Sequence, residues 1–229
     1  MKLGETTDTQ DACGTITQKR DEIRLDETLI REAITSFEGT ILQQPPMFSA
    51  LKHKGTSLYK YARKGIQIER TPREVNIRHI EILDITLPYV TFTVLCSKGT
   101  YIRTLCNDIG EKLMVGAHLY SLERTAIGQF TLMDGLTFDE LRSISEGKEG
   151  DRGFYTMDKA LAWLPELTVR ESLVKAVIHG NPLRPAPLHL TDDIKRAAGI
   201  RIKSPDRTLL AIGSFSAEKD EIKMDVVFT

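Results

Sequence analysis

Cysteine is scarce in this chain, and the positions of the few cysteines exclude the structures that cysteine most often builds. Cys13, Cys96 and Cys106 form no Cys-x-x-Cys pair, and no histidine accompanies them at metal-ligand spacing. Neither a disulfide framework nor a zinc site is therefore predicted. Because free thiols persist in a reducing compartment, the sequence predicts a cytoplasmic protein.

Long apolar runs are missing as well. No apolar stretch approaches the roughly 20 residues that a membrane-spanning helix needs, and no signal peptide is visible. We therefore expect no membrane contact. The chain has 229 residues, of which 41% are hydrophobic. It is long enough to bury one sizeable core and to form a small second domain.

Excess charge is also missing, since the formal net charge is −1. Overall charge thus predicts no polyanionic partner, but the average hides one basic segment. Between residues 51 and 73 seven lysines and arginines accompany a single acid, Glu69: Lys52, Lys54, Lys60, Arg63, Lys64, Arg70 and Arg73. Such a local patch is typical of phosphate contacts. A solvated surface loop is the ordinary alternative.

The most informative segment is a strand-like run that leads into a helical pattern. Residues 89–95 are mainly apolar and β-branched, residues 96–104 read CSKGTYIRT, and apolar residues then recur at helical spacing as far as Leu113. A buried strand would deliver Tyr101 and Arg103 to the end of a sheet, where polar substrates commonly bind. Residues two apart on a helix diverge by about 200°. The two side chains can therefore share a site only if the helix begins after Arg103 or irregularly around it.

An acidic loop near the start of the chain is the second notable segment. Residues 7–14 follow the pattern Thr-Asp-Thr-x-Asp-x-x-Gly. Asp8 and Asp11 could act as paired carboxylates in acid/base chemistry. Bonds from Asp to the backbone of a tight loop are the commoner use, so we expect structural roles for both.

Two further segments frame the basic patch and the chain beyond the central motif. Residues 43–52 read QQPPMFSALK, and the adjacent prolines fix an extended chain. Residues 57–65 predict a short helix with Lys60, Arg63 and Lys64 on one face. Residues 116–128 predict a further strand.

Ordinary structural signals accompany these segments. Asp26 is expected to cap a helix that Gly39 ends, and Thr137 with Glu140 forms a capping-box pattern. Residues 75–83 alternate between apolar and polar, which predicts a strand. The polar residues 146–153 predict an exposed loop. From about residue 165 short strands surround one helix, which suggests a compact β-barrel-like module.

The four segments at residues 7–14, 43–52, 96–104 and 116–128 resemble, in the same order, the TruB family of bacterial tRNA pseudouridine synthases. The resemblance covers nearly the whole chain. It implies an α+β fold with a mixed, largely antiparallel sheet of the pseudouridine synthase type flanked by helices. A catalytic domain would span residues 1–164, and a small C-terminal PUA-like RNA-binding domain residues 165–229. Residues from about 45 to 73 would form an inserted thumb that grips the tRNA T-stem-loop.

The resemblance also implies an isomerase, a tRNA pseudouridine-55 synthase that converts the T-loop uridine of tRNA to pseudouridine. No atoms are gained or lost in this reaction, so the resemblance implies neither a cofactor nor a metal. Arg103 matches the family arginine that pairs with the catalytic Asp. Tyr101 and Leu122 match residues that pack around the base after it leaves its stack. The catalytic residues implied for this chain are Arg103 and Tyr101. The implied substrate-binding residues are Leu122, Ser49, Lys52, Tyr59, Lys60, Arg63 and Lys64.

One part of the family pattern is missing from the sequence. The family nucleophile lies in a Gly-x-Leu-Asp-Pro-x-Ala motif, and none occurs in the 229 residues. The carboxylates of Asp8, Asp11, Asp108 and Glu111 lie in segments with structural roles in the family, so none is assigned as the nucleophile. We expect a synthase that lacks its front part, keeps most of its RNA-binding surface and is inactive alone. If it is soluble, we expect a monomer.

Several alternatives stay open at this stage. The first is a tRNA-binding module without catalysis, and the second a guide-RNA-dependent member of the pseudouridine synthase superfamily. The third is a structural β-rich protein unrelated to RNA. Considered without the family, Arg103 is most simply explained as a surface ion pair with a nearby carboxylate such as Asp108.

Overall fold

The structure is a computed structural model that describes residues 1–146, 153–184, 188 and 190–228. These residues form two compact units, Met1–Glu123 and Arg124–Thr229. The expected domain boundary between residues 164 and 165 stays a prediction. Most of the expected loop at 146–153 lies outside the described residues. No helix in the described part of the chain is long and apolar enough to span a membrane.

The first unit combines strands and helices, as the sequence predicts. Its strands are β1 (Lys2–Leu3), β2 (Glu5–Thr7), β3 (Ile16–Lys19), β4 (Gly39–Gln43), β5 (Lys52–His53), β6 (Thr56–Ser57), β7 (Arg73–Thr86), β8 (Tyr89–Cys96) and β9 (Ala117–His118). Its helices are α1 (Glu27–Thr35), α2 (Leu58–Ala62) and α3 (Ile102–Lys112). Five strands form one antiparallel sheet in the order β4-β7-β8-β1-β9. The pairs β2–β3 and β5–β6 are separate hairpins.

Helix α1 packs on this sheet through an apolar stripe. Asp26 caps the helix as predicted, because its carboxylate accepts a hydrogen bond from the Thr28 N–H at 2.6 Å. Ile30 and Ile34 are fully buried in the core of the unit. The helix ends at Ser36 and not at Gly39, whose positive φ of 103° instead lets the chain turn into β4.

Strand β8 is much longer than β1, the strand that pairs with one of its two edges. Val90 exchanges backbone hydrogen bonds with Met1, at 2.7 Å and 3.0 Å, where β1 begins. No described strand pairs with this side of β8 beyond Val90. Because backbone groups alternate along a strand, the N–H and C=O groups of Phe92, Val94 and Cys96 point toward that open side.

The prediction of one strand over residues 116–128 is wrong. Only Ala117–His118 pairs with the sheet, through β1. Leu119 then leaves the sheet to exchange backbone hydrogen bonds with the acidic loop, from its N–H to the Gln10 oxygen at 3.0 Å and from the Ala12 N–H to its own oxygen at 2.9 Å. Beyond His118 the backbone therefore pairs with the acidic loop and no longer with the sheet.

The second unit contains a four-stranded sheet with short helices. Its strands are β10 (Ala126–Ile127), β11 (Phe130–Thr131), β12 (Glu166–Thr168), β13 (Ile200–Lys203), β14 (Leu209–Ser216) and β15 (Glu221–Val227). Its helices are α4 (Phe138–Ser145), α5 (Met157–Ala160), α6 (Glu171–Ile178) and α7 (Asp192–Arg196), and Leu132–Asp134 form a 3₁₀ turn.

The four-stranded sheet has the order β12-β13-β14-β15, with a parallel first pair and antiparallel pairs thereafter. The predicted capping box of α4 is confirmed. The short strands expected after residue 165 are confirmed as β12 to β15, and the one expected helix is accompanied by a second, so that α6 and α7 both occur there. A PUA-type barrel stays a prediction.

Two buried cations on β13 hold part of this unit together. Asp158 accepts from Arg201 and from Lys203 at 2.7 Å each, and Lys203 lies 3.2 Å from Glu166. The hydrogen bond from Lys203, the largest influence, lowers the pKa of both acids below its usual range. A buried cluster of this kind is tolerated because each charge has an opposite partner.

Candidate functional site

Tyr101 and Arg103 face each other at the start of α3. Tyr101 precedes the helix in an extended conformation, with φ −96° and ψ 106°, and Arg103 lies in the first helical turn. The guanidinium carbon lies 5.7 Å from the centre of the Tyr101 ring. The helix thus begins one residue before Arg103, and the side chains converge because Tyr101 is not helical.

Arg103 joins three separate parts of the first unit. Its Nη1 lies 3.3 Å from Oδ2 of Asp11, and its Nη2 donates a hydrogen bond to the carbonyl oxygen of Phe48. Both side chains of the ion pair are largely buried, with 21% of Arg103 and 26% of Asp11 exposed. The suggested surface pair with Asp108 is therefore wrong, since the partner of Arg103 is Asp11.

Asp11 combines a structural role with its contact to Arg103. Its Oδ1 accepts hydrogen bonds from Thr9 Oγ1 at 2.7 Å and from the Cys13 N–H at 3.1 Å. Its Oδ2 is thereby directed at the guanidinium. The structural role expected for Asp8 is confirmed, because its carboxylate accepts from the Thr15 N–H at 2.8 Å. Both carboxylates stabilise the loop by bonding its backbone.

Close packing inside the loop explains its glycine. A Cβ on Gly14 would lie 2.2 Å from Thr9 Oγ1 and 2.5 Å from Asp8 Oδ1. Both distances are far shorter than any real contact, so only glycine lets the two side chains reach their backbone partners.

A cleft of about 730 Å³ adjoins this group of residues. Phe48, whose oxygen binds Arg103, lines the cleft together with its neighbours Pro46 and Met47. The rest of the lining is rich in hydrogen-bonding side chains: Thr6, Thr7, Asp8, Gln10, Thr17, Gln18, Arg20, Gln67, Arg70, Asn107 and Glu111. Amide, hydroxyl and guanidinium groups of this kind can bind the bases, sugars and phosphates of a nucleic acid.

The basic segment forms a second hollow, of about 440 Å³. Four residues that the resemblance implies for RNA binding lie together in its lining: Tyr59, Lys60, Arg63 and Lys64. The guanidinium of Arg63 stacks over the Tyr59 ring at 5.5 Å. Cations beside exposed aromatic rings are typical of surfaces that bind single-stranded nucleic acid.

The remaining candidate residues occupy varied environments. Ser49 is buried, and its carbonyl oxygen accepts from the Tyr59 N–H at 3.1 Å. Its hydroxyl has no hydrogen-bond partner among the described residues. Lys52 is exposed on β5 opposite Ser57. Leu122 is 59% exposed near the end of the first unit.

One residue of the site was missed at the sequence level. Gln43, which is 1% exposed, binds both backbone groups of Tyr101 through its side-chain amide. Its position before two prolines shows where the strand ends but not which residue its side chain reaches. Among the described residues no cluster of histidine, cysteine and acidic side chains could hold a metal ion.

Comparisons with known families match most of the chain. The model described as TruB family pseudouridylate synthase (N terminal domain) matches residues 1–102. The model described as tRNA pseudouridylate synthase B C-terminal domain matches residues 103–162. Together the two models include every residue of the Arg103 site.

Individual proteins give the same result. The chain is 40% identical over 216 residues to tRNA pseudouridine synthase B of Burkholderia mallei (strain NCTC 10247), covering 94% of this chain and 71% of the relative. It is 41% identical over 220 residues to tRNA pseudouridine synthase B of Clostridium acetobutylicum, and the match covers 95% of this chain and 73% of the relative.

Solved structures support the fold. The chain resembles a chain of a Cbf5-Nop10-Gar1 complex with a TM-score of 0.63 and 27% identity, over 90% of this chain and 63% of that one. It resembles a chain of the archaeal box H/ACA sRNP Nop10-Cbf5 complex with a TM-score of 0.65 and 26% identity. This match covers 90% of this chain and 62% of that one. The chain thus spans somewhat less than two thirds of each solved chain.

Proposed function

The chain belongs to the TruB family of pseudouridine synthases, and we propose that it binds the T-stem-loop of tRNA and holds a T-loop uridine for isomerisation to pseudouridine. The observation that carries this proposal is the convergence of Tyr101, Arg103 and Asp11. These residues adjoin the cleft of the first unit through Phe48, which binds Arg103, and through Gln10, the chain neighbour of Asp11. The basic segment of the same unit supports RNA binding.

Arg103 is suited to hold a second anionic or polar group. A guanidinium carries five N–H donors, and Nη1 and Nη2 use one contact each on Asp11 and Phe48. Further donors can bind a carboxylate or a ribose or phosphate oxygen while Asp11 fixes the side chain. We propose that Tyr101 and the exposed Leu122 pack around the uracil base.

The isolated chain is expected to bind without catalysis. Its 229 residues contain no Gly-x-Leu-Asp-Pro-x-Ala motif, and Asp8 and Asp11 are both engaged in holding their loop. We therefore expect a polypeptide of this sequence alone to bind the T-stem-loop and to leave its uridine unconverted. For the isolated chain this observation favours the second candidate function, a tRNA-binding module without catalysis.

The structural neighbours leave a guide-dependent function as the competing proposal. Those structures are complexes of Cbf5 with Nop10, and one is an archaeal box H/ACA sRNP complex. The greater identity to tRNA pseudouridine synthase B, 40% against 27%, supports tRNA as the direct substrate. Binding of a T-stem-loop without any guide RNA would distinguish the two.

We further propose that residues 165–229 form a PUA-type RNA-binding domain and that residues from about 45 to 73 act as the thumb. The sheet β12-β13-β14-β15 and the basic hollow support these assignments. A cytoplasmic location and, if the chain is soluble, a monomeric state stay predictions.

The basic segment provides the first test. Binding of a T-stem-loop hairpin to the chain is measured at several salt concentrations, together with pseudouridine content after incubation. We expect affinity that falls steeply with salt, and no pseudouridine. The double substitution Lys60→Glu/Lys64→Glu should weaken binding at least about tenfold and make the salt dependence shallower by about 1.5 to 2 in logarithmic slope, since two phosphate contacts are lost.

The matched control is Arg24→Glu/Arg31→Glu, which changes the net charge equally on exposed residues outside the basic segment. Its salt slope should equal that of the unsubstituted chain. Equal losses in the two double variants would show that only overall charge matters and would contradict the assignment. Absence of any hairpin binding would favour a protein unrelated to RNA.

A further inference from the structure

Tyr101 occupies a position that normally needs outside support. It is the residue before α3, and no side chain caps the helix there. Its carbonyl oxygen accepts the first helical hydrogen bond, from the Leu105 N–H at 3.0 Å, whereas its own N–H has no helical partner. The conformation that brings its ring to Arg103 is therefore not fixed by the helix alone.

The side chain of Gln43 supplies that support. Its Oε1 accepts a hydrogen bond from the Tyr101 N–H at 2.8 Å, and its Nε2 donates to the Tyr101 carbonyl oxygen at 3.1 Å. The amide thus binds both backbone groups of one residue, as a neighbouring strand would. Two hydrogen bonds in opposite directions fix the orientation of Tyr101 as well as its position.

The segment from Gln43 to Phe48 is held at both of its ends. Gln43 is the last residue of β4 and pairs with Arg73 across the sheet. Five residues later, past two prolines, Phe48 accepts the hydrogen bond of Arg103. One short segment of rigid chain therefore determines the positions of both Tyr101 and Arg103.

We propose that Gln43 is a positioning residue that sets the Tyr101 ring and the Arg103 guanidinium for the bound uridine. It acts through Tyr101 and does not itself contact RNA. This inference rests on the proposed function, and it predicts that loss of the Gln43 amide removes recognition of the base while leaving binding of the RNA backbone intact.

The test separates these two parts of binding. Affinity is measured for a T-stem-loop hairpin with uridine at the target position and for the same hairpin with an abasic site there. The unsubstituted chain should prefer the uridine hairpin by about tenfold, the scale of one base–aromatic stack. Gln43→Met, which keeps the side-chain length but has no amide, should bind both hairpins equally and bind the abasic hairpin as the unsubstituted chain does.

A conservative variant distinguishes loss of the hydrogen bonds from a general disturbance of folding. In Gln43→Glu the ionised carboxylate can accept from the Tyr101 N–H but cannot donate to its oxygen, whereas the protonated carboxyl can do both. Position 43 is buried, and the Tyr101 carbonyl oxygen lies against the end of its side chain. Both features raise the pKa of a carboxyl there above its usual value. We expect the uridine preference of this variant to be lost at about pH 8.5 and to return as the pH falls to about 5.5, each measured relative to the unsubstituted chain at the same pH. A purely packing role would give no such rescue.

The neighbouring substitution Gln44→Met is the matched control. Gln44 is exposed and donates to the Arg70 oxygen at 3.3 Å, away from Tyr101, so its uridine preference should be unchanged. A preference retained in Gln43→Met, or an equal loss for both hairpins, would overturn the role of Gln43. Absence of any uridine preference in the unsubstituted chain would instead overturn the proposed pocket, and the role of Gln43 with it.

Discussion

At the residue scale, side chains of the site bond mainly to backbone groups that are distant in sequence. Arg103 reaches the oxygen of Phe48, 55 residues away, and Gln43 reaches Tyr101, 58 residues away. Because each bond satisfies a backbone group in a non-repetitive segment, it fixes the segment itself. Each irregular segment of the site is consequently bonded to a distant part of the first unit.

Asp108 on α3 gives a prediction at this scale. Burial raises the pKa of this half-buried carboxyl to about 6, above its usual value near 4. The protonated form is favoured in the folded state, so the free energy of unfolding falls as pH rises from about 4 to about 6 and stays lower above that range. We expect Asp108→Asn to stabilise the chain by about 1 kcal/mol at about pH 7.5, a value reduced for partial solvent exposure.

Urea unfolding at about pH 7.5 and at about pH 4 checks this prediction. The gain should vanish at the lower pH, where the carboxyl is largely protonated in the folded state and close to half protonated in the unfolded state. Asp21→Asn is the control, because Asp21 is exposed, lies outside any helix and belongs to the same unit as Asp108, and it should change neither midpoint. A gain of equal size at both pH values for Asp108→Asn would contradict the assigned cause.

At the element scale, β8 has an unpaired edge that could pair with another molecule. Beyond Val90 one side of this strand has no described strand partner, and its sequence YVTFTVLC contains no charged residue. The adjacent β7 carries Arg78, Glu81 and Asp84. Charged residues on strand edges prevent pairing between molecules, and β8 lacks that protection.

We therefore predict concentration-dependent self-association of the chain through β8. Thr93→Lys should weaken this association at least about tenfold, and Lys at this position would face Glu81 across the hairpin. Sedimentation velocity over a range of concentrations measures the effect. Thr35→Lys, which adds the same charge to an exposed position of α1, should have no effect.

A sharply defined monomer of the unsubstituted chain at all concentrations would contradict this prediction. An equal effect of Thr93→Lys and Thr35→Lys would show that net charge, and not the edge of β8, controls association.

The same scale shows which elements can be predicted from sequence. The helix caps at Asp26 and Thr137 follow from local hydrogen bonding and were predictable. The strand predicted at residues 75–83 is confirmed inside the longer β7. The segment after His118 was not predictable, because its partner is a loop about a hundred residues earlier in the chain.

The site likewise has one feature that could be predicted from the sequence and others that could not. The proximity of Tyr101 and Arg103 could be predicted, since both lie at one strand-to-helix junction. The partner of Arg103 could not, because Asp11 lies 92 residues away and its local pattern indicates only a turn. The role of Gln43 was hidden for the same reason, since a single glutamine carries no signal of its distant partner.

At the scale of the whole molecule, the proposed RNA binding depends on the position of the basic residues and not on the net charge of the chain. The chain has a net charge of −1, yet the hollow formed by Tyr59, Lys60, Arg63 and Lys64 is locally basic. This hollow and the cleft beside Arg103 lie within the same unit, which has a hydrophobic core of its own. The first unit therefore contains both the proposed RNA-binding surface and the proposed uridine site.

A photocrosslink from the target base tests the central claim most directly. A T-stem-loop hairpin with 4-thiouridine at the target position is bound to the chain and irradiated, and the attached peptide is identified by mass spectrometry. The account predicts attachment around Tyr101 or Leu122, which are proposed to pack around the base, or around Phe48, which binds Arg103. Attachment confined to residues 165–229, or attachment that an unrelated hairpin reproduces equally, would contradict it.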